Sequence, residues 1–171
     1  ADVPIFMGAE GPKNVALAAE IADGWLPLYY SPFRQEVYAE SLKDRKADFE
    51  IGQFIICNIN DDLEQALMPV KAMLGFYIGG MGAKKRNFHM ELMARMGFEA
   101  EAHKIQDLFM EGKRAEATAA VPDQFADEIS LCGPADRIRE RIQAWRETPV
   151  TTLLVASQDV ATMRSIAELV G

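Results

Sequence analysis

The stretch Pro4-Ile5-Phe6-Met7-Gly8-Ala9-Glu10-Gly11-Pro12-Lys13-Asn14, followed by Val15-Ala16-Leu17-Ala18-Ala19-Glu20-Ile21-Ala22-Asp23-Gly24-Trp25-Leu26-Pro27, reads as strand, glycine-bearing turn, helix and strand. Proline suits the first helical position, because its missing N–H would have no intrahelical partner there and its fixed φ matches the helix. Gly8 and Gly11 let the backbone come close to a ligand, and the N–H groups of Gly11, Lys13 and Asn14 are expected to point outward at the positive end of the helix dipole. With the Lys13 ammonium beside them, this is a predicted anion site. A lone Gly-Pro pair only starts a helix. Here the design recurs at Ser130-Leu131-Cys132-Gly133-Pro134-Ala135-Asp136, and the first turn falls at the carboxyl end of a strand, where α/β folds bind ligands.

Working outward, apolar runs stand at Ile5-Phe6-Met7, Trp25-Leu26-Pro27-Leu28-Tyr29, Phe54-Ile55-Ile56-Cys57 and Val150-Thr151-Thr152-Leu153-Leu154-Val155. None alternates cleanly with polar residues, which predicts strands covered on both faces, as in a parallel sheet. Helices are expected between them: one after Pro12, one capped by Ser31 with Pro32 at its first position, and one from Asp61 with Glu64 completing a capping box. A further helix after Pro134 carries Ile138, Ile142 and Trp145 on one face, and the last carries Val160, Met163, Ala167 and Val170. Residues 76–130 break the alternation. Phe88, Leu92 and Met96 mark one helix stopped by Gly97, and Ala102, Ile105 and Phe109 mark another closed by Gly112, so this segment reads as a helical insertion within a single domain spanning 1–171.

The fold class is therefore α/β, with about four parallel strands joined by right-handed crossovers. A whole (β/α)8 barrel needs eight strands and about 250 residues. These 171 residues hold half of that set, so the expectation is a half barrel whose edge strands need another segment or a second copy to cover them. The start at Ala1, directly before a strand, points the same way.

A net charge of -8 argues against nucleic acid or an anionic membrane as partner. No apolar run approaches the roughly 20 residues that span a bilayer, and no secretory signal opens the sequence, which makes cytoplasmic the default location. Cys57 and Cys132 lack metal-ligand spacing and read as reduced core residues. His89 and His103 have no carboxylate or cysteine cluster beside them and read as packing residues.

Gly8 to Asn14, Ala22-Asp23-Gly24-Trp25, Tyr77-Ile78-Gly79-Gly80-Met81-Gly82 with Asn87-Phe88, and Ser130-Leu131-Cys132-Gly133-Pro134 leading to Arg137 and Arg141 together resemble the luciferase-like monooxygenase superfamily, in particular its coenzyme F-420-dependent oxidoreductases. The resemblance implies the C-terminal half of a (β/α)8 TIM barrel. It also implies that Gly8, Ala9, Glu10, Gly11, Pro12, Lys13 and Asn14 hold the phosphate of a deazaflavin or flavin, while contacts to the ring come from the first four strands. Lys84 and Arg86 are further candidates for the cofactor's phosphate or acidic tail: they lie in the basic triplet that follows the glycines, although a helix C-cap and a solvated charge run would read the same. Tyr30, at the end of the second apolar run, is the substrate-pocket candidate, with Trp25 assigned to the core. The expected function is hydride transfer between coenzyme F-420 and a small organic substrate. The alternatives are an FMN-dependent monooxygenase, and a half-barrel module without enzymatic activity that dimerises through its sheet edges. No nucleophile elbow, Walker A loop or GxGxxG fingerprint competes with these readings. In hydride transfer the cofactor performs the redox step, so no acid–base constellation is required of the chain.

Overall fold

A computed structural model describes residues 3–82, 86–156 and 160–170. The first strand, β1 (Phe6–Gly8), is parallel to β2 (Gly24–Leu26), with helix α1 (Pro12–Ile21) crossing between them and burying Val15, Ala18 and Ala19. β2 pairs in parallel with β3 (Glu50–Ile59) after the four-residue helix α2 (Glu36–Ala39). Two further parallel strands, β4 (Leu131–Gly133) and β5 (Thr152–Ala156), both pair with β3, β4 along Cys57–Ile59 and β5 along Gly52–Ile56. The sheet has five strands rather than four. The addition, β4, lies in Ser130-Leu131-Cys132-Gly133-Pro134, where only two apolar residues precede the glycine and the stretch reads as the lead-in to a turn.

From α3 (Leu63–Gly80) to β4 the described chain is helical: α4 (Phe88–Met93), a π turn over Ala94–Phe98, α5 (Glu99–Met110), α6 (Arg114–Ala119) and α7 (Asp123–Glu128). Gly97 sits in the π turn at φ +92, which a residue with a side chain rarely adopts, and this is where α4 gives way to α5. Two helices close the fold, α8 (Ala135–Arg146), which buries Ile138, Ile142 and Trp145 as its spacing predicts, and α9 (Val160–Val170).

Three expectations are corrected. Ser31 does not cap a helix: its hydroxyl accepts from the Phe33 amide and donates to Glu128. Asp62, not Asp61, caps α3, accepting from the Gln65 amide at 3.2 Å. On α9 the inward residue is Ile166, whereas Val160 and Met163 are exposed. The sheet also departs from the expected covering on both faces. Ile51, Gln53, Ile55 and Cys57 of β3 are buried against helices. On the opposite face Leu26, Phe54 and Leu154 remain 36%, 41% and 44% exposed. Strands apolar on both sides carry no signal telling which face the chain itself covers. Among the described residues no helix is long and apolar enough to cross a membrane.

Candidate functional site

The β1–α1 loop is fixed from beneath and from both sides. Buried Trp25 donates its indole N–H to the Ala9 carbonyl at 2.8 Å, which pins the loop to β2. The Leu28 amide donates to Glu10 Oε1 at 2.9 Å, and Arg95 Nη2 donates to the Glu10 main-chain oxygen at 2.8 Å. Gly11 caps α1 without a side-chain hydrogen bond, and its carbonyl accepts from the amides of Asn14 and Val15 at 3.0 Å. The Asn14 amide is thus engaged within the turn, contrary to expectation. The amides of Gly11 and Lys13 have no hydrogen-bond partner among the described residues.

In front of this loop lies a cavity of about 270 Å³, bounded by Gly8 to Gly11, Asn14, Phe88 and His89. A Cβ added at Gly8 or at Gly11 would meet nothing within 4 Å. Both residues have negative φ, so neither backbone strain nor the chain's own packing demands glycine there. What their missing side chains preserve is open space beside free amides at the positive end of a helix, which suits the phosphate of a cofactor.

The far wall is set by Asn87, which is fully buried. Its Oδ1 accepts from the amides of His89 and Met90, and its Nδ2 donates to the carbonyls of Ile78 and Tyr77. One side chain therefore ends α3, starts α4 and places Phe88 and His89 at the cavity. The His89 ring stands edge-on to Tyr77 at 5.0 Å and to Tyr29 at 5.6 Å between centroids. Burial lowers its pKa and keeps the imidazole neutral, and Nδ1 is buried without a partner among the described residues. Glu10 Oε2 and the Tyr29 hydroxyl are in the same condition. Burial raises the Glu10 carboxyl to about 7, against the smaller opposing pulls of the Leu28 amide and Arg95.

The remaining sequence candidates lie apart from this cavity. Apart from the free Lys13 amide in the first turn of α1, Pro12 and Lys13 line a separate groove with Glu40 and Asp44. Tyr30 is 1% exposed, stacked on Tyr38 at 5.5 Å and edge-on to Trp25 at 6.3 Å, so it belongs to a core of aromatic rings rather than to the loop cavity. Its neighbour Tyr29 is the one turned toward His89. Arg86 is exposed and does not line the cavity, and Lys84 lies outside the described residues. Gly79 and Gly80 form the last turn of α3. A Cβ on either would come within 2.5 Å of Phe109, so they are glycine to let α3 lie against α5. Phe88 and His89 line the cavity, where the sequence assigned both to helix packing. The Asn87-Phe88-His89 run just past the glycines was the available signal. Cys57 and Cys132 are both free, and no group of three metal-ligating side chains occurs among the described residues.

The profile of the luciferase-like monooxygenase family matches residues 1–152. A Mycobacterium tuberculosis protein named for coenzyme F420-dependent oxidoreductase activity is 39% identical, aligned over 99% of this chain and 52% of its own length. The 5,10-methylenetetrahydromethanopterin reductase of Archaeoglobus fulgidus is 25% identical over 99% of this chain and 52% of its own. The chain thus spans about half the length of these relatives. Among solved structures, the coenzyme F420-dependent tetrahydromethanopterin reductase of Methanopyrus kandleri superposes with a TM-score of 0.71 at 22% identity, covering 98% of this chain and 49% of that one. An F420-dependent secondary alcohol dehydrogenase superposes at 0.65 with 16% identity, covering 100% and 50%. At those identities the likeness establishes the fold, an α/β arrangement matching about half of each larger enzyme.

Proposed function

Because the chain belongs to the luciferase-like monooxygenase family, we propose that its loop cavity holds the phosphate of coenzyme F-420 in an oxidoreductase acting on a small organic substrate. The observation carrying this reading is the pair of glycines, Gly8 and Gly11, that keep open space beside unpaired amides at the start of a ten-residue helix. The relatives named for coenzyme F420-dependent activity favour the deazaflavin over FMN. When bound, the deazaflavin supplies the hydride chemistry. The chain's own part is to anchor it: the amides of Gly11 and Lys13 face the phosphate, and the Trp25 and Leu28 contacts keep the loop in place. The apolar sheet face formed by Leu26, Phe54 and Leu154 is where the further strand and helix units of a complete barrel would pack, bringing the remaining contacts to the ring and the substrate.

Replacing Gly11 by threonine tests the anchoring role. Threonine caps a helix about as well as glycine. Its Cβ meets no atom of the chain within 4 Å, and the side chain is expected to take up space kept for the phosphate. Unfolding by urea should be unchanged within about 0.5 kcal/mol, while deazaflavin binding, read by fluorescence, should weaken at least about tenfold, or about 1.4 kcal/mol. Equal binding by variant and parent would remove the loop from the site, and tighter binding of FMN than of deazaflavin would favour the flavin monooxygenase reading.

A further inference from the structure

Resting on the anion-cavity reading above, we infer that binding of an oxyanion at the β1–α1 loop is coupled to uptake of one proton, held by the carboxyl group of Glu10. The loop that bounds the cavity contains a single acidic residue, and an ionised carboxylate there would repel the ligand that the free amides attract. Its surroundings favour the neutral form. Oε1 is engaged by the Leu28 amide, while Oε2 is buried with no donor among the described residues, an arrangement costly for a charge and mild for a carboxylic acid.

The groups around Glu10 do little to hold its charge. Arg95, from the π turn, donates to the Glu10 main-chain oxygen rather than to the carboxylate. From α4, His89 stays neutral because burial lowers its pKa. From the segment after β2 and from α2, the Tyr29 and Tyr38 hydroxyls are kept protonated mainly by burial and also by the Glu10 charge. On α1, Lys13 lines the separate groove. Since burial brings Glu10 to about 7, the ligand-free chain is partly ionised at neutral pH, and an arriving anion shifts it to the acid form. The balance is one carboxylate, one solvent proton and one oxyanion giving a carboxylic acid beside the bound anion, with no other bond made or broken. Linkage then requires anion affinity to fall as pH rises through the carboxyl's own pKa.

Sulfate is the probe, because its charge is constant across the range and it separates the loop from titrations of the cofactor. The chain should bind sulfate at least about tenfold more tightly at about pH 6 than at about pH 8.5. Glu10→Gln should flatten that profile near its tight end, and His89→Gln should leave the slope in place. In the unaltered chain labelled with carbon-13 at glutamate carboxyls, the Glu10 resonance should titrate near neutrality and move to higher pH with sulfate. This measurement does not depend on either variant folding. Equal sulfate affinity at both pH values, a slope that survives Glu10→Gln, or a sulfate-bound Glu10 that titrates in the ordinary carboxylate range would each overturn the coupling while leaving the anion site standing. No sulfate binding at about pH 6 by parent or variant would overturn both.

Discussion

Glu128→Ala is expected to cost the chain about 3–5 kcal/mol of unfolding free energy, the range found when one member of a buried ion pair is removed. Glu128 is 7% exposed and accepts from Arg34 Nε at 2.6 Å and Nη2 at 3.0 Å, from the Ser31 hydroxyl at 3.0 Å and from Gln124 at 2.9 Å. Removing the carboxylate leaves the Arg34 guanidinium, among the described residues, bonded only to the Met96 carbonyl and lying over the Phe98 ring. Met96 and Phe98 share the π turn with Arg95, which contacts Glu10, so the loss should also loosen one support of the cavity. Burial alone would raise the Glu128 pKa, but the hydrogen bonds from Arg34, Gln124 and Ser31 outweigh it and hold the carboxyl below its usual value. A depressed carboxylate stabilises above its unfolded pKa and loses that contribution as pH falls through its folded pKa, so the penalty of Glu128→Ala should shrink in acid. Urea unfolding at neutral and acidic pH measures both effects. A loss under about 1 kcal/mol at neutral pH would show that the pair is not what joins these segments.

Glu10→Gln should have a comparable effect of opposite sign. The Glu10 carboxyl rises from 4.5 to about 7 on folding, so between those values the unfolded chain releases a proton that the folded chain keeps. A raised folded pKa gives stability present below the unfolded value and lost as pH climbs through the folded one. The Glu10 contribution should therefore fall by about 3 kcal/mol between about pH 4.5 and about pH 7, then level off. Glutamine mimics the neutral acid and has no such slope. The variant should match its parent at about pH 4 and exceed it by about 3 kcal/mol at about pH 8 in paired urea titrations. A variant less stable than its parent at both pH values would mean that the carboxylate is the form the fold prefers.

The contrast between these two carboxylates shows what sequence order conveys and what it withholds. The start of α1 was legible because Pro12 acts on its own neighbours, and the buried face of α8 because Ile138, Ile142 and Trp145 repeat within one element. The family was legible in short motifs spread along the chain. The roles of Glu10 and Glu128 were not, because their partners Leu28 and Arg34 lie 18 and 94 positions away and nothing local marks either carboxyl as buried. Tyr29 and Tyr30 are adjacent, and nothing local tells that Tyr29 turns toward His89 while Tyr30 stacks on Tyr38. Strand β4 was hidden because only Leu131 and Cys132 precede its glycine, and the open sheet face by apolar residues on both sides of β3.

The most direct test of the loop cavity as the cofactor's anchor is an amide NMR map of the labelled chain titrated with coenzyme F-420. The largest shifts should fall on Gly8 to Asn14, led by Gly11 and Lys13, with a second group at Phe88 and His89 across the cavity. Shifts that spare this loop and gather instead around Tyr30 and α2 would contradict that anchoring role.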